Sequence, residues 1–499
     1  MVLAFGVAGL LGVPQPATAR GTTATAPTQD AAGKRLMGPT EPELSYVVNT
    51  TKTDAKTMSA VKKAIAASGG SVVASHSRIG VLIVRSPNAG FSSALRNAEG
   101  VQSVGATRTA PLASHGSDVG KPVKVRAPRR SASKPGKREP LESLQWDIAA
   151  IRADKASKVT QGSRKVTVAV IDSGVDDTHP DLAPNFSVKQ SANCVGGKAD
   201  NSKGAWRPNT KDDYHGTHVA GTIAAARNGV GVAGVAPGVR ISSIKVSEPS
   251  GLYYAEAVIC AFMFAAEHDV QVTNNSYYID PWMFHCKENS DQAAVVEAVN
   301  RAAKFAENKG IVHVAAAGNS NYDLAAKSIT DASSPNDSSP VSRDVNPSIC
   351  WDIPAQLPGV VTVAATGPER LKSAYSNYGL HQIDVAAPGG DVAQVPKAPA
   401  KDGRILSTMP DGDYAYLQGT SMASPHTAGV AALIKSKHPK ASPQEIMWRL
   451  KAQADNPGCP SKPSPREGSD QADAPCTGSK HVNSFYGFGI VDALDAVNK

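Results

Sequence analysis

Apolar runs alternate with helical segments along most of this chain. From residue 142 onward, five runs have the β-branched, continuously apolar character of buried parallel strands: 165–171, 240–246, 270–274, 311–317 and 360–365. Between them, residues 254–268 and 291–308 carry the apolar spacing of helices. This alternation predicts an α/β domain over residues 141–499, with a doubly wound, mostly parallel sheet and helices on both faces.

The pattern in front of this domain is different. Four short segments have the composition of strands and two have the spacing of helices, in the order 44–49, 55–67, 71–75, 79–84, 91–98 and 101–106. The resulting β-α-β-β-α-β order predicts a small α+β, ferredoxin-like sandwich over residues 40–108. Residues 109–140 are rich in Lys, Arg, Pro, Ser and Gly, with too few apolar residues to fold alone, which predicts a disordered basic linker.

The beginning of the chain is almost wholly apolar. Residues 2–13 form an apolar run, and the small residues 17–19 follow it, which predicts a secretory signal over residues 1–20 and a secreted protein. A short buried apolar segment is the alternative interpretation. No run reaches 18 apolar residues, so no membrane anchor is expected.

Six cysteines, an even number, suit the oxidising environment of exported proteins. Cys459 and Cys476 bracket a polar loop and are expected to pair, and Cys286 and Cys350 are candidates for a second bridge. Cys260 lies in an apolar helical stretch, where a buried thiol and a disulfide both fit the pattern. No Cys-x-x-Cys pair occurs, so a zinc site is not expected.

The net charge of +8 is unevenly distributed. Residues 1–143 contain 19 Lys and Arg against 8 Asp and Glu, a net +11, which leaves −3 for the rest of the chain. A basic chain raises the question of nucleic-acid binding. Here the positive charge lies ahead of the α/β domain and no basic patch with interleaved aromatic residues follows, so we expect no nucleic-acid partner.

Four polar residues of the α/β domain fall at strand ends and helix starts. Asp172 directly follows the strand predicted at 165–171, Asn319 follows another strand, and His215 and Ser421 each begin an apolar helix. Ligands of such sheets bind beyond the carboxyl ends of the strands, so we expect all four side chains at one edge.

An acid, an imidazole and a hydroxyl at one edge suit nucleophilic catalysis. Ser421 needs a base to take its proton, His215 titrates near neutral pH, and Asp172 would orient the imidazole and stabilise its protonated form. The chain order Asp, His, Ser is one of three known orders for such a triad. His218 lies near His215, but the helix lacks the His-Glu-x-x-His pattern, so no catalytic metal is expected.

The sequences around these residues resemble the motifs of the subtilisin-like serine proteases. They are VIDSG at 170–174, HGTHVAG at 215–221, GTSMASPH at 419–426 and YGFGIVDA at 486–493. The resemblance implies that fold and that triad, with Asn319 and the Ser421 N–H binding the developing oxyanion. It also implies that residues 40–108 are an inhibitor-type propeptide, which is cut off within the linker or near Leu141.

By the same resemblance, substrate lies beside residues 274–278. The substrate-binding residues would be Ser276, Tyr277, Tyr278 and Gly318, with Tyr278 at a position where the family commonly has a small Gly. Either the two tyrosines narrow the pocket for the residue before the scissile bond (P1) and disfavour bulky aromatics, or their rings pack into neighbouring inserts. The long inserts 279–290 and 321–351 flank the cleft, and the sequence does not indicate their role.

A structural calcium ion is the one metal that the resemblance suggests, and no cofactor is expected to be required. Asp181 and Asn228 match two calcium ligands of the family, with backbone carbonyls near Ala226, Val230 and Val232 as the others. An Asp in a His-Pro-Asp turn and an Asn in an Asn-Gly turn also have ordinary structural roles, so both interpretations stay open.

Together these features predict a secreted, monomeric serine endopeptidase, made as a proenzyme. It would hydrolyse polypeptide substrates through an acyl-enzyme and be inhibited by its own propeptide. The alternative is a catalytically inactive secreted binding protein on the same fold, which would have no need of Asp172, His215, Ser421 and Asn319 together. A basic nucleic-acid- or membrane-binding protein is a third hypothesis, and it requires affinity outside the linker.

Overall fold

The computed structural model describes residues 43–110, 122–125, 138–461 and 475–499. The predicted signal at 1–20 and most of the predicted linker lie outside these ranges. Residues 43–110, called the N-terminal module below, contain β1 (Leu44–Thr50), α1 (Ala55–Ala67), β2 (Ser71–His76), β3 (Val81–Ser86), α2 (Phe91–Leu95) and β4 (Val101–Ala106).

The N-terminal module is a four-stranded antiparallel sheet with strand order β2-β3-β1-β4. Alternate residues of β1 face opposite sides of this sheet. Tyr46 and Val48 pack with apolar residues of α1 and α2, whereas Val47 belongs to an apolar cluster shared with the main domain. The predicted ferredoxin-like order is therefore confirmed, although α2 ends three residues earlier than expected.

Residues 141–499 are called the main domain below, and one strand of the predicted linker precedes them. In chain order the elements are β5 (Val123–Val125), α3 (Trp146–Ala150), α4 (Ala153–Val159), β6 (Thr167–Asp172), β7 (Ala192–Asn193), α5 (His215–Ala224), β8 (Arg240–Lys245), α6 (Ala255–Glu267), β9 (Val272–Asn275), β10 (His285–Cys286), α7 (Ser290–Asn308), β11 (Val312–Ala316), β12 (Ile329–Asp331), β13 (Arg343–Val345), β14 (Cys350–Trp351), β15 (Val360–Thr366), β16 (Val385–Pro388), β17 (Ile405–Thr408), β18 (Tyr414–Leu417), α8 (Thr420–Lys437), α9 (Pro443–Gln453) and α10 (Ala493–Asn498).

A seven-stranded parallel sheet forms the centre of this domain, with strand order β16-β15-β11-β9-β6-β8-β7. Every residue of β6 is buried. Val168 and Val170 belong to the same apolar cluster as α5 and α8, and Ala169 and Ile171 to the cluster of α6 and α7. Helices therefore cover both faces, and the predicted doubly wound α/β fold is confirmed.

All six cysteines are paired, as Cys194–Cys260, Cys286–Cys350 and Cys459–Cys476. The two bridges favoured by the sequence are confirmed, and Cys260 is a disulfide partner rather than a thiol. Residues 285–286 and 350–351 also pair as strands β10 and β14, so the two inserts are joined to each other.

The described parts of the predicted linker contact the main domain. β5 adds to the edge of the β17–β18 hairpin by antiparallel pairing with β18, and Glu139 is 3% exposed. The sequence did not predict this, because β5 has no apolar run of its own and gains its order from main-chain pairing with an existing edge. No helix in the described ranges is long and apolar enough to span a membrane.

Candidate active site

Asp172 and His215 form the first contact of the site. Asp172 is the last residue of β6 and is fully buried, and His215 is the first residue of α5. The carboxylate Oδ1 accepts the Ser173 backbone N–H at 2.7 Å and lies 2.8 Å from His215 Nδ1. With the carboxylate ionised, Nδ1–H is the donor, which leaves Nε2 as the nitrogen that can accept a proton.

Ser421 is the second residue of α8, where free backbone N–H groups and the helix dipole favour negative charge. Its hydroxyl donates to the Ser276 carbonyl at 3.2 Å, and the Ser276 hydroxyl donates to the Ser421 carbonyl at 3.0 Å. His215 Nε2 is buried and has no hydrogen-bond partner among the described residues. His215 and Ser421 line the same cavity, and catalytic hydrogen bonds often tighten only with substrate bound.

Asn319 follows β11 and is fixed by the start of α8. Its Oδ1 accepts both the backbone N–H and the hydroxyl of Thr420, each at 2.8 Å. Because Oδ1 is occupied in this way, the Nδ2 amide hydrogens remain available to a ligand in the cleft. Asn319, Ser421 and His215 line one cavity of about 460 Å³, so the structure brings the predicted residues to one edge.

Ser276, Tyr277, Tyr278 and Gly318 line the same cavity. The Tyr277 ring stacks parallel on Tyr253, with centroids 4.9 Å apart, and its hydroxyl donates to Asn275 Oδ1 at 2.9 Å. The Tyr278 hydroxyl accepts a hydrogen bond from Asn336 Nδ2, also 2.9 Å long. Both tyrosines thus line the cleft and Tyr278 contacts the second insert, whereas an effect of the two rings on the P1 side chain stays a prediction.

Two buried acids of the cleft were missed by the sequence analysis. Asp280 and Asp352 are 4% and 3% exposed and line the cavity. Burial raises the pKa of Asp280 to about 7 and raises that of Asp352 well above its usual range. Both lie at the ends of polar inserts, where an acidic residue is normally solvated, so no local signal marks them.

Asp181, one of the two calcium ligands suggested by the sequence, lies near a second buried acid, Glu139. Asp181 is fully buried; its Oδ2 accepts from Val232 N–H and the Tyr414 hydroxyl, and its Oδ1 has no partner. Both carboxylate oxygens of the buried Glu139 also lack hydrogen-bond partners. Burial raises the pKa of Asp181 to about 7, and the negative charge of Glu139 acts in the same direction. Orphaned carboxylate oxygens close together fit a hard cation such as Ca²⁺.

Asn228, the other suggested calcium ligand, uses both polar side-chain atoms in hydrogen bonds to the backbone. Its Nδ2 donates to the Pro180 carbonyl at 2.9 Å and its Oδ1 accepts from Val230 N–H at 3.0 Å, as in an ordinary Asx turn. No group of three or more His, Cys, Asp or Glu side chains suited to a metal occurs in the described ranges. A calcium ion would therefore depend on Asp181, Glu139 and backbone carbonyls.

The N-terminal module packs against α6 and α7. Ile79, Val81 and Ile83 share an apolar cluster with residues of both helices. Arg301 on α7 donates to the backbone carbonyls of Thr50, Ile79 and Gly80 at 3.1–3.2 Å. Carbonyls at the ends of β1 and β3 are thereby satisfied by the main domain, so the contact is polar as well as apolar.

The last residues of the module contact the main domain beside the cleft. The buried Arg108 guanidinium forms ion pairs with Glu248 and Glu256, both at 2.8 Å, and lies over the Tyr254 ring. Burial acts to raise the pKa of Glu256, but Arg108 outweighs it and the pKa is lowered. The Thr109 backbone N–H donates to Asp337 Oδ2 at 2.8 Å, so the chain leaves the module along the second insert.

Comparison with known proteins identifies the family. The model of the subtilase family (peptidase S8) matches residues 163–489. Subtilisin DY of Bacillus licheniformis is 33% identical over 317 residues, covering 64% of this chain and 93% of its own length. Subtilisin Savinase of Lederbergia lenta is 33% identical over 318 residues, with the same coverage of both chains.

Solved structures agree on the fold. The epidermin leader peptide processing serine protease of Staphylococcus aureus has a TM-score of 0.66 at 24% identity, covering 92% of this chain and 98% of that one. Fervidolysin of Fervidobacterium pennivorans, a keratinolytic enzyme related to subtilisin, has a TM-score of 0.60 at 24% identity, covering 92% of this chain and 61% of that one. The chain therefore belongs to the subtilase family of serine-type endopeptidases.

Proposed function

We propose that this endopeptidase uses Ser421 as nucleophile, His215 as general base, Asp172 as the group that orients the imidazole, and Asn319 as an oxyanion donor. The observation that carries the proposal is the 2.8 Å contact between His215 and Asp172 in the cavity that Ser421 and Asn319 also line. Ser276, Tyr277, Tyr278 and Gly318 would contact the bound polypeptide there.

The reaction follows from this geometry. Ser421 Oγ attacks the peptide carbonyl while its proton passes to His215 Nε2, and Asp172 stabilises the imidazolium. The negative charge on the former carbonyl oxygen is bound by Asn319 Nδ2 and the Ser421 N–H. His215 then gives its proton to the leaving amine, the C–N bond breaks and an acyl-enzyme remains. Water, deprotonated by His215, releases the second product and restores Ser421.

The N-terminal module is proposed to be the inhibitory propeptide of a proenzyme. Its sheet packs on α6 and α7, and its end is anchored by Arg108 and Thr109 next to the cleft. Thr109 and Ala110 contact Asp337 of the second insert, and the neighbouring Asn336 lines the cavity. Cleavage in the linker upstream of the buried Glu139 would free the cleft and leave the main domain intact.

Secretion is proposed on two grounds. The apolar start of the sequence has the form of an export signal. All six cysteines form disulfides, which persist in oxidising environments and are rare in the cytosol. A structural calcium ion held by Asp181, Glu139 and nearby carbonyls fits the same setting; bound, it would neutralise buried carboxylates and take no part in peptide hydrolysis.

Casein hydrolysis by the purified protein tests the catalytic roles. Ser421→Ala should abolish both activity and covalent labelling by a fluorophosphonate probe, whereas Ser202→Ala, a change at an exposed serine outside the cleft, should leave both intact. N-terminal sequencing of the two precursors tests processing, which should occur only when Ser421 is present if the cut is autocatalytic. A folded wild type that is neither labelled nor active would support the inactive binding protein instead.

A further inference from the structure

Asp352 has no function in the reaction described above, yet its carboxylate lines the catalytic cavity. The residue follows β14 and is only 3% exposed. Its Oδ1 is buried and accepts no hydrogen bond, and no described Lys or Arg forms an ion pair with it. An acid buried in this way is costly unless a donor or a cation meets it, so the native partner is expected to come from outside the chain.

The neighbouring acid in the cleft is already satisfied. Asp280 accepts the Tyr253 backbone N–H and the Asn336 side-chain amide, the latter at 2.6 Å. Tyr278 stands near both acids, and its hydroxyl is occupied by Asn336. Asp280 and Tyr278 are therefore both hydrogen-bonded to Asn336, whereas Asp352 has no such partner among the described residues.

Gly318 connects Asp352 to the reacting atoms. A Cβ built on Gly318 would collide with Asn377 Nδ2 and would lie 3.4 Å from Asp352 Oδ2, so Gly318 lies directly beside that carboxylate oxygen. Gly318 has φ +98°, a conformation that L side chains rarely adopt, and it directly precedes Asn319. The substrate carbonyl bound by Asn319 would belong to the P1 residue. Asp352 lines the same cavity as Gly318, Asn319 and Ser421, which makes it a candidate contact of the P1 side chain.

We infer that Asp352 is a specificity-determining residue that binds the cationic side chain of Arg or Lys at P1. The inference rests on the proposed function, because it uses the oxyanion position assigned to Asn319. A guanidinium or ammonium group would donate hydrogen bonds to Oδ2, the oxygen beside Gly318, and would stabilise the ionised carboxylate, which a Phe or Met side chain cannot do. The chain also carries basic pairs in the linker proposed to be cut, at residues 129–130 and 137–138.

Fluorogenic peptides identical except at P1 test this inference. With the mature wild type, kcat/KM for Arg and Lys should exceed that for citrulline, the neutral isostere of Arg, by at least about 100-fold, since breaking a buried ionic contact costs that much or more. Asp352→Asn should reduce this preference to less than about tenfold, mainly by lowering kcat/KM for the basic peptides. Asp344→Asn, an exposed acid of the same insert outside the cavity, is the matched control and should change neither.

The Arg to citrulline ratio is measured on the wild type alone, so it decides the matter even if Asp352→Asn does not fold. Equal rates for Arg and citrulline, or a preference for Phe, would overturn the inference while leaving the proposed function standing. Failure of the proposed function gives a different result: no peptide is hydrolysed, and a fluorophosphonate does not label Ser421.

Discussion

Thr420 donates both its backbone N–H and its hydroxyl to Asn319 Oδ1, each at 2.8 Å. This double contact orients the amide of Asn319, and in the proposed function Nδ2 then binds the oxyanion. The first prediction follows: Asn319→Ala should lower kcat by about 10²–10³-fold with little change in KM, because the lost bond strengthens in the transition state.

The same contact predicts a graded effect at the neighbouring residue. Thr420→Val keeps the backbone donor and removes the hydroxyl, so kcat should fall by less than in Asn319→Ala. Thr330→Val, an exposed position outside the cleft, should have no effect. Steady-state kinetics on one peptide substrate checks all three variants, and an unchanged kcat in Asn319→Ala would rule out its role as a donor.

Substitution of Asp172 should lower kcat through its effect on the His215 imidazole and should leave the stability of the fold nearly unchanged. Asp172→Asn is expected to lower kcat by about 10⁴-fold, because an amide neither stabilises the imidazolium nor fixes the tautomer of His215. Tyr253→Phe removes only a 3.5 Å contact to Asp172 and should cost less than tenfold. Thermal unfolding of both variants separates lost chemistry from lost structure; equal losses in the two variants would contradict the assignment.

Calcium removal should destabilise the main domain. In the inactive Ser421→Ala background, which prevents autolysis, a chelator should lower Tm by roughly 3–5 °C if calcium is present at about 100 times its Kd. Asp181→Asn and Glu139→Gln should abolish this response, whereas Asp344→Asn should keep it. A chelator-independent Tm in the parent protein would show that Asp181 and Glu139 hold no ion.

His313 should make stability depend on pH. It is buried, accepts from the Thr273 hydroxyl at 2.8 Å and donates to the Ala303 carbonyl at 3.0 Å, and burial lowers its pKa to about 4. In the unfolded chain His313 binds a proton near pH 6.5, whereas in the folded chain it does so only near pH 4. Above pH 6.5 His313 therefore does not lower the free energy of unfolding. Between pH 6.5 and pH 4 it should lower that free energy by up to about 1.4 kcal/mol per pH unit.

Urea unfolding at a series of pH values measures this slope. His313→Gln should be less stable at pH 7 but should lose less stability on acidification. His481→Gln, at an exposed histidine, should keep the slope of the parent protein. An identical slope in His313→Gln would show that other groups govern the acid sensitivity.

Docking of the N-terminal module should depend on Gly105. A Cβ at this position would lie 2.1 Å from the Asp291 carbonyl oxygen on α7. Because this oxygen belongs to the backbone of a helix, relieving the clash would require the module or the helix to shift. In the Ser421→Ala precursor, Gly105→Ala should increase hydrogen exchange in α7 and at the edge of β4. Gly90→Ala, whose nearest neighbour is a side-chain oxygen at 3.3 Å, is the matched control and should leave exchange unchanged.

The sequence predicted those parts of the molecule that have a local signal. The apolar run ending at Asp172 marks both a buried strand and the position of its polar end, and the helix starts at His215 and Ser421 are equally local. Parallel strands then bring these ends to one edge of the sheet, independently of the conformation of the loops. This is why the candidate triad was found while the side-chain rotation of Ser421, which depends on Ser276, was not.

Residues whose environment is made by distant segments could not be predicted. Glu139 belongs to a basic, polar stretch, and only the fold places it beside Arg227 and the turn at 229–230, where it is buried. Asp352 lies at the end of an insert, and its burial depends on the segments around Gly318 and Tyr278. Composition classifies both as solvated acids, because the contacts that bury them join parts of the chain far apart in sequence.

Arg96 and Gln102 of the N-terminal module are matched to Asp291, Glu297 and Arg301 on a single face of α7. Asp291 compensates the charge of Arg96 across this contact, whereas Arg301 is shared between Glu297 on its own helix and Gln102 of the module. If the module is the propeptide proposed above, the module of a related enzyme should not replace it: a chimera that receives a foreign module would mature efficiently only if the facing helix were exchanged with it.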